Sequence, residues 1–174
     1  MQEFLDILKY ILPSLVVLLL AYLLIKAFLN QELKRRVMDA KKSSREILIP
    51  IQLQAYERLI LFLERIQPTG LILRINQPDM KAGEMRSKLM STIREEFDHN
   101  LSQQVYISSP GWDLVKNARE SVIQVINATA GQVDNQAPGH EFAARVIENW
   151  AGKDHNTVNH AIEFLKEESR QKFQ

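Results

Sequence analysis

The hydrophobic and polar positions divide the chain into one unbroken apolar run and a series of amphipathic stretches. The run is "YILPSLVVLLLAYLLIKAFL", residues 10–29, and Lys26 is its only charge. An α-helix rises about 1.5 Å per residue, so roughly 20 apolar residues cross a ~30 Å hydrocarbon core. Between Val16 and Ile25 only Tyr22 is polar, which argues against a helix buried in a soluble core. A cleaved leader would want a basic start and small residues at a cleavage site. Here Glu3 and Asp6 stand against Lys9, and "KAFLNQE" offers no A-x-A pattern. The run predicts a transmembrane helix over 10–29, with a short extracytoplasmic N-terminus over 1–9. Pro13 falls in the first turns, where a missing N–H costs least, and Lys26 can carry its ammonium to the interface.

Downstream the pattern changes. Residues 30–49 form a basic juxtamembrane stalk, prolonging the membrane helix or lying along the surface. Lys26, Lys34, Arg35, Arg36, Lys41, Lys42 and Arg45 face only Glu32 and Asp39 there. This asymmetry keeps the basic side in the cytoplasm. The cationic groups of Lys34, Arg35, Arg36, Lys41 and Lys42 also suit anionic headgroups.

Residues 50–174 read as a helical domain. Pro50 suits a first helical turn, and Leu53, Tyr56, Leu59, Ile60, Leu63 and Ile66 recur at spacings of three and four. Leu61 and Phe62 widen that face. Residues 68–75 predict a short helix or turn. A helix over 79–104 starts with Asp79 as cap and steps through Met85, Leu89, Ile93, Phe97 and Leu101. "VYI" at 105–107 is too short to support a sheet. "SSPGW" at 108–112 is a helix start with Ser109 as cap. The helix that follows buries Val115, Ala118, Val122, Val125 and Ile126. A Gly/Asn/Pro loop over 129–140 leads to a helix over 139–151 with Phe142, Val146, Ile147 and Trp150 inward. "GKD" ends it. Asp154 can cap a last helix that carries Val158, Ala161, Ile162 and Leu165. Pro50, Pro68, Gly70 and Pro78 should interrupt any long helix through this region. The fold class expected is all-α: one N-terminal transmembrane helix and a cytoplasmic multi-helix domain.

Composition narrows the chemistry. At 174 residues there is room for an anchor and one modest domain. No cysteine is present, which removes disulfides, thiolate metal sites and cysteine nucleophiles. From residue 46 onward, fourteen Lys plus Arg stand against seventeen Asp plus Glu, a balance near −3. That is the wrong sign for a nucleic-acid-binding domain. The chain has no phosphate-binding glycine pattern and no Gly-x-Ser-x-Gly turn. "NLS" and "NAT" match the glycosylation pattern by chance in a cytoplasmic domain.

The densest polar stretch is "REEFDHNLSQQVYISSPGW", residues 94–112. On a helix, Glu95, His99 and Ser102 would share one side. A triad also needs an oxyanion hole, and mid-helix N–H groups are already bonded to their own backbone. The stretch reads more simply as a helix end, a tight connection and a helix start. Tyr106 and Trp112 either pin that corner into the core or present it to a partner. Metal binding finds no pattern: His155 and His160 are five apart, about 140° around a helix. "GHEFAA" at His140 lacks a second histidine. No catalytic, cofactor-binding or metal residue is assigned, and no cofactor is expected.

Two strings, "LQAYERLILFLERIQP" (53–68) and "IREEFDHNLSQQVYIS" (93–108), with Trp112 following, resemble a family of uncharacterised bacterial membrane proteins, mostly of Bacteroidetes type. The resemblance covers the chain from the anchor to about residue 130. It implies a single N-terminal span, a helical domain and a bacterial inner-membrane location, and it implies no activity. The residues that carry it include Gln54, Tyr56, Glu57, Arg58, Glu64, Arg65, Glu96, Phe97, His99, Asn100, Gln103, Gln104 and Tyr106. Of these, Tyr56, Glu57, Arg58, Glu96, His99, Asn100, Gln104 and Tyr106, with Trp112, form either an interaction surface or a buried polar network. The functional expectation is a membrane-anchored adaptor that binds a protein partner. The alternatives are an oligomeric stalk-like subunit and an enzyme centred on His99.

Overall fold

The computed structural model describes the backbone of residues 2–152 and 156–173. From Ser14 on, it also describes the side chains in these ranges except at positions 37, 40, 41, 43, 44 and 156. Among the described residues the regular structure is helical: α1 Gln2–Arg65, α2 Pro68–Ile75, α3 Ala82–Asn100, a 3-10 turn over Leu101–Val105, α4 Ser109–Ala130, α5 Gly139–Gly152 and α6 Asn156–Phe173. The chain divides into two compact units, Met1–Leu48 and Ile49–Gln174.

The first unit is the N-terminal part of α1. Within it Ser14–Arg36, 23 residues of mean hydropathy 1.8, is long and apolar enough to cross a membrane. Leu18 and Leu24 on this segment are exposed, at 69% and 70%. The Lys26 ammonium lies 5.8 Å from the Tyr22 ring centre, one turn away. Arg36 bonds Glu32 at 3.1 Å, and Arg35 faces Asp39 at 3.9 Å. The side chains of Pro13 and Lys41 lie outside the described residues.

Pro50 does not interrupt α1, contrary to the expectation from its type, because the helix continues to Arg65. A proline inside a helix removes one N–H donor and crowds the carbonyl four residues back. Position 50 is exposed, so water can satisfy the freed carbonyl. Beyond Arg65, α2 starts at Pro68 and the turn at Gln77–Met80, which contains Pro78, precedes α3, as expected; Gly70, also expected to interrupt, lies inside α2 and does not.

The second unit holds the core. α1 contributes Tyr56, Leu59, Phe62 and Leu63, and Ile66 follows just past its end, all nearly inaccessible to solvent. α3 adds Met85, Leu89, Ile93 and Phe97. α4 adds Val115, Ala118, Val122, Val125 and Ile126, and α5 and α6 add Phe142, Val146, Val158, Ala161, Ile162 and Leu165. These are the positions that the three-and-four spacing selects. Leu61 departs from the expectation: at 56% exposed it does not widen the buried face. It lies beyond the edge of the arc that its neighbours cover. Leu53 and Leu101 are likewise exposed.

Two helix starts differ from the sequence reading. α3 begins at Ala82, not at Asp79. Asp79 instead has φ 62° in the turn after Pro78, a left-handed conformation that Asp tolerates. The free N–H groups of Ala82 and Gly83 donate to the carbonyls of Ala137 and Asn135, and the Glu84 carboxylate accepts from the Lys81 N–H. α4 is capped by Ser108, not Ser109: its hydroxyl accepts from the Gly111 N–H at 3.1 Å. Ser109 would have to cap Trp112, whose N–H already donates to the Ser108 carbonyl. The proposed cap Asp154 lies outside the described residues, as does Lys153; of "GKD" only Gly152 is described, and it is the last residue of α5.

Candidate functional site

The stretch 94–112 is a helix end, a 3-10 turn and a helix start. Two sets of contacts hold it in place. The first centres on Glu168 of α6. Its carboxylate accepts from the Tyr56 hydroxyl at 2.8 Å, from the Ser108 N–H at 3.1 Å and from the Ser108 hydroxyl at 2.9 Å. One acidic group thus ties α1 and α6 to the first turn of α4, where the helix dipole favours negative charge. Burial, then the neighbouring Glu168 carboxylate, pushes the Tyr56 hydroxyl well above the usual tyrosine range. Phe173 meets the Tyr56 ring edge-on at 6.0 Å, and Lys172 donates to the Tyr106 carbonyl.

The second set centres on Phe97. Its ring stacks on Trp112 at 5.5 Å, and the Arg119 guanidinium lies 4.1 Å from its centre. Trp112 and Arg119 are seven residues apart on α4, about 10.5 Å along the axis, so the ring sits between them. The buried Arg119 Nε has no hydrogen-bond partner among the described residues. The face of Phe97 takes that role for the cation as a whole. Phe62 adds a tilted ring contact at 5.8 Å. Alongside, Arg65 bonds Glu96 at 2.8 Å, and Asn100 donates to the Glu96 carbonyl.

The sequence-selected residues therefore separate into two groups. Tyr56, Glu96, Asn100, Tyr106 and Trp112 face inward, wholly or in part, and hold the corner together. Glu57, Arg58, His99 and Gln104 are exposed. Glu95, His99 and Ser102 all face solvent, and none lines either of two surface clefts. One cleft, about 560 Å³, runs along Lys81, Glu84, Arg86, Ser87 and Asn135. The other, about 420 Å³, lies between the Asn76–Lys81 turn and Pro138–His140. Both are open at the surface and lined by polar and apolar groups in similar measure. Among the described residues no three metal-ligating side chains converge. His155 lies outside the described residues.

The outer surface of the corner is different in kind. Val105 is 76% exposed and Leu101 43% exposed, on one short 3-10 turn with His99, Ser102 and Gln104 beside them. Glu168, Ser108, Lys172 and Arg119 were not selected from sequence. Glu168 lies 60 residues from Ser108 and 112 from Tyr56 in the chain, so spacing cannot reveal the link.

This arrangement, an N-terminal apolar helix and a helical domain, extends across a single family model. Residues 2–172 match a family of unknown function, DUF7935. The chain belongs to this family. The match spans both strings quoted above and also the α5 and α6 region, beyond the reach of the resemblance read from sequence. No curated protein and no solved structure matches the chain. Membership in DUF7935 therefore brings no assigned chemistry to the corner, and its geometry has to be read directly.

Proposed function

We propose that this protein is a single-pass, membrane-anchored adaptor whose helical domain binds another protein through the corner at 99–106. The observation that carries this reading is the contrast within the corner. Leu101 and Val105 point to solvent, while a ring stack and a three-bond carboxylate node fix the backbone beneath them. A surface held rigid before binding loses little entropy on association. Leu101 and Val105, four residues apart, offer two neighbouring apolar side chains to that partner.

The anchor would be Ser14–Arg36, the best-qualified segment by length and composition. We place the basic stalk and the domain in the cytoplasm of a bacterial inner membrane, with the N-terminus outside. The charge asymmetry and the family resemblance support this placement. Lys34, Arg35, Arg36, Lys41 and Lys42 are then beside anionic headgroups. Tethering raises the effective concentration of a weak partner at the membrane. The test is a pull-down of full-length tagged protein against Leu101→Glu and Val105→Glu variants. The partner should be lost from both while the fold is retained. An unchanged set of co-purifying proteins would refute the corner as the binding surface.

A further inference from the structure

Arg119 is a half-buried cation that the domain supports from one side only. Its Cζ lies 4.1 Å from the centre of the Phe97 ring. Among the described residues no carboxylate pairs with the guanidinium, and its Nε is buried with no hydrogen-bond partner. Acidic side chains on the two helices that hold the stack are committed elsewhere: Glu96 to Arg65 at 2.8 Å and Asp113 to Lys116 at 2.7 Å. Glu120 is next in the chain, but it is exposed and points about 100° away around the helix. A ring face attracts a cation yet leaves its N–H donors unmet. Of the three nitrogens only Nε is both buried and unpartnered, so the two Nη groups reach the surface.

The surface beside this cation is apolar. Arg119 shares Phe97 with the half-buried Trp112, which stacks on the same ring at 5.5 Å. Leu101 follows Phe97 by four residues, about 6 Å along the axis and on nearly the same side. A partner seated on Leu101 thus reaches Trp112 and Arg119 across Phe97.

We infer that Arg119 receives a carboxylate of the protein that docks on Leu101 and Val105. The inference rests on the reading of that corner as the docking surface and names the partner's chemistry: an aspartate or glutamate beside its apolar contacts. A carboxylate can meet the two Nη–H groups in parallel, the pairing that suits a guanidinium best. Phe97 already holds the group in place, so little freedom is lost on binding. A basic segment would meet an uncompensated like charge at the same point.

The test is a random peptide library displayed on phage and selected on the full-length protein in lipid nanodiscs, with Val105→Glu protein for counter-selection. Peptides that depend on Val105 should be enriched in Asp or Glu. For one such peptide, replacing its acid by the amide should weaken binding to the wild type about tenfold or more. The same replacement should have little effect on binding to Arg119→Gln. The first comparison leaves the protein unchanged, so it decides the matter even where Arg119→Gln fails to fold. Val105-dependent peptides without acidic residues, or an amide penalty that persists in folded Arg119→Gln, would overturn the carboxylate site and leave the corner reading intact. Recovery of no Val105-dependent peptide would refute the corner itself and, with it, the inference.

Discussion

Removing the Glu168 carboxylate is the sharpest structural perturbation available. In Glu168→Ala the Tyr56 hydroxyl, on a residue 1% exposed, loses its 2.8 Å acceptor. A buried donor left unsatisfied costs about 1–3 kcal/mol. Ser108 loses two further bonds at a half-buried helix start, which water can partly replace, for roughly another 1 kcal/mol. The expected loss is about 3 kcal/mol, or a fall in Tm of roughly 6–12 °C for a chain of this size. Glu168→Gln keeps an acceptor for Tyr56 and should cost only about 1 kcal/mol. Tyr56→Phe removes the donor as well as the need for it. Combined with Glu168→Ala, it should cost about 1 kcal/mol less than the sum of the single changes. The assay is thermal unfolding of the full chain in detergent, followed by tryptophan fluorescence. Trp112 lies one residue past the Gly111 N–H that Ser108 caps, so it reports on this corner. Additivity of the two changes, or a Glu168→Ala loss below ~0.5 kcal/mol, would refute the carboxylate as the link between α1, α4 and α6.

The same node gives a pH dependence. The folded-state pKa of Tyr56 is raised above its unfolded value near 10, so the unfolded state releases its proton first. The contribution of Tyr56 to stability should be flat below pH 10 and fall as pH rises above it, and Tyr56→Phe should blunt that fall in alkaline melts. Gly111→Ala would set a Cβ 2.9 Å from a Glu168 carboxylate oxygen and should cost about 1–3 kcal/mol by displacing it. Gly139→Ala should be worse, because its Cβ would lie 2.7 Å from the Met80 carbonyl oxygen, which is backbone and cannot swing away. Chemical denaturation ranks the two. Val105→Glu, on a side chain 76% exposed, should change stability by less than ~0.5 kcal/mol, as circular dichroism melts can check.

Much of the helical domain was legible because burial here follows the helical period. Val115, Ala118, Val122, Val125 and Ile126 were selected by spacing and are all buried. Leu61 shows the limit: periodicity gives a face, but the width of that face depends on how closely the neighbouring helices approach. Pro50 shows another, since an exposed proline can be carried within a helix whose freed carbonyl is solvated. Caps were misplaced by one residue at Ser109 and by more at Asp79. At α3 the N–H groups are satisfied by the carbonyls of Asn135 and Ala137, which local sequence does not announce, whereas at α4 the cap is simply the neighbouring serine, Ser108. The corner itself was half legible. Tyr56, Tyr106 and Trp112 stand out by residue type, whereas Glu168 and Arg119 are ordinary helix charges until the fold brings them to Ser108 and Phe97.

The most direct test of the adaptor reading is affinity purification of the full-length protein from its native membrane, wild type beside Val105→Glu. The account predicts a stoichiometric protein partner with the wild type and its loss with the variant, both chains remaining membrane-bound and folded. A wild-type protein that purifies alone, or a partner held equally by both, would contradict it.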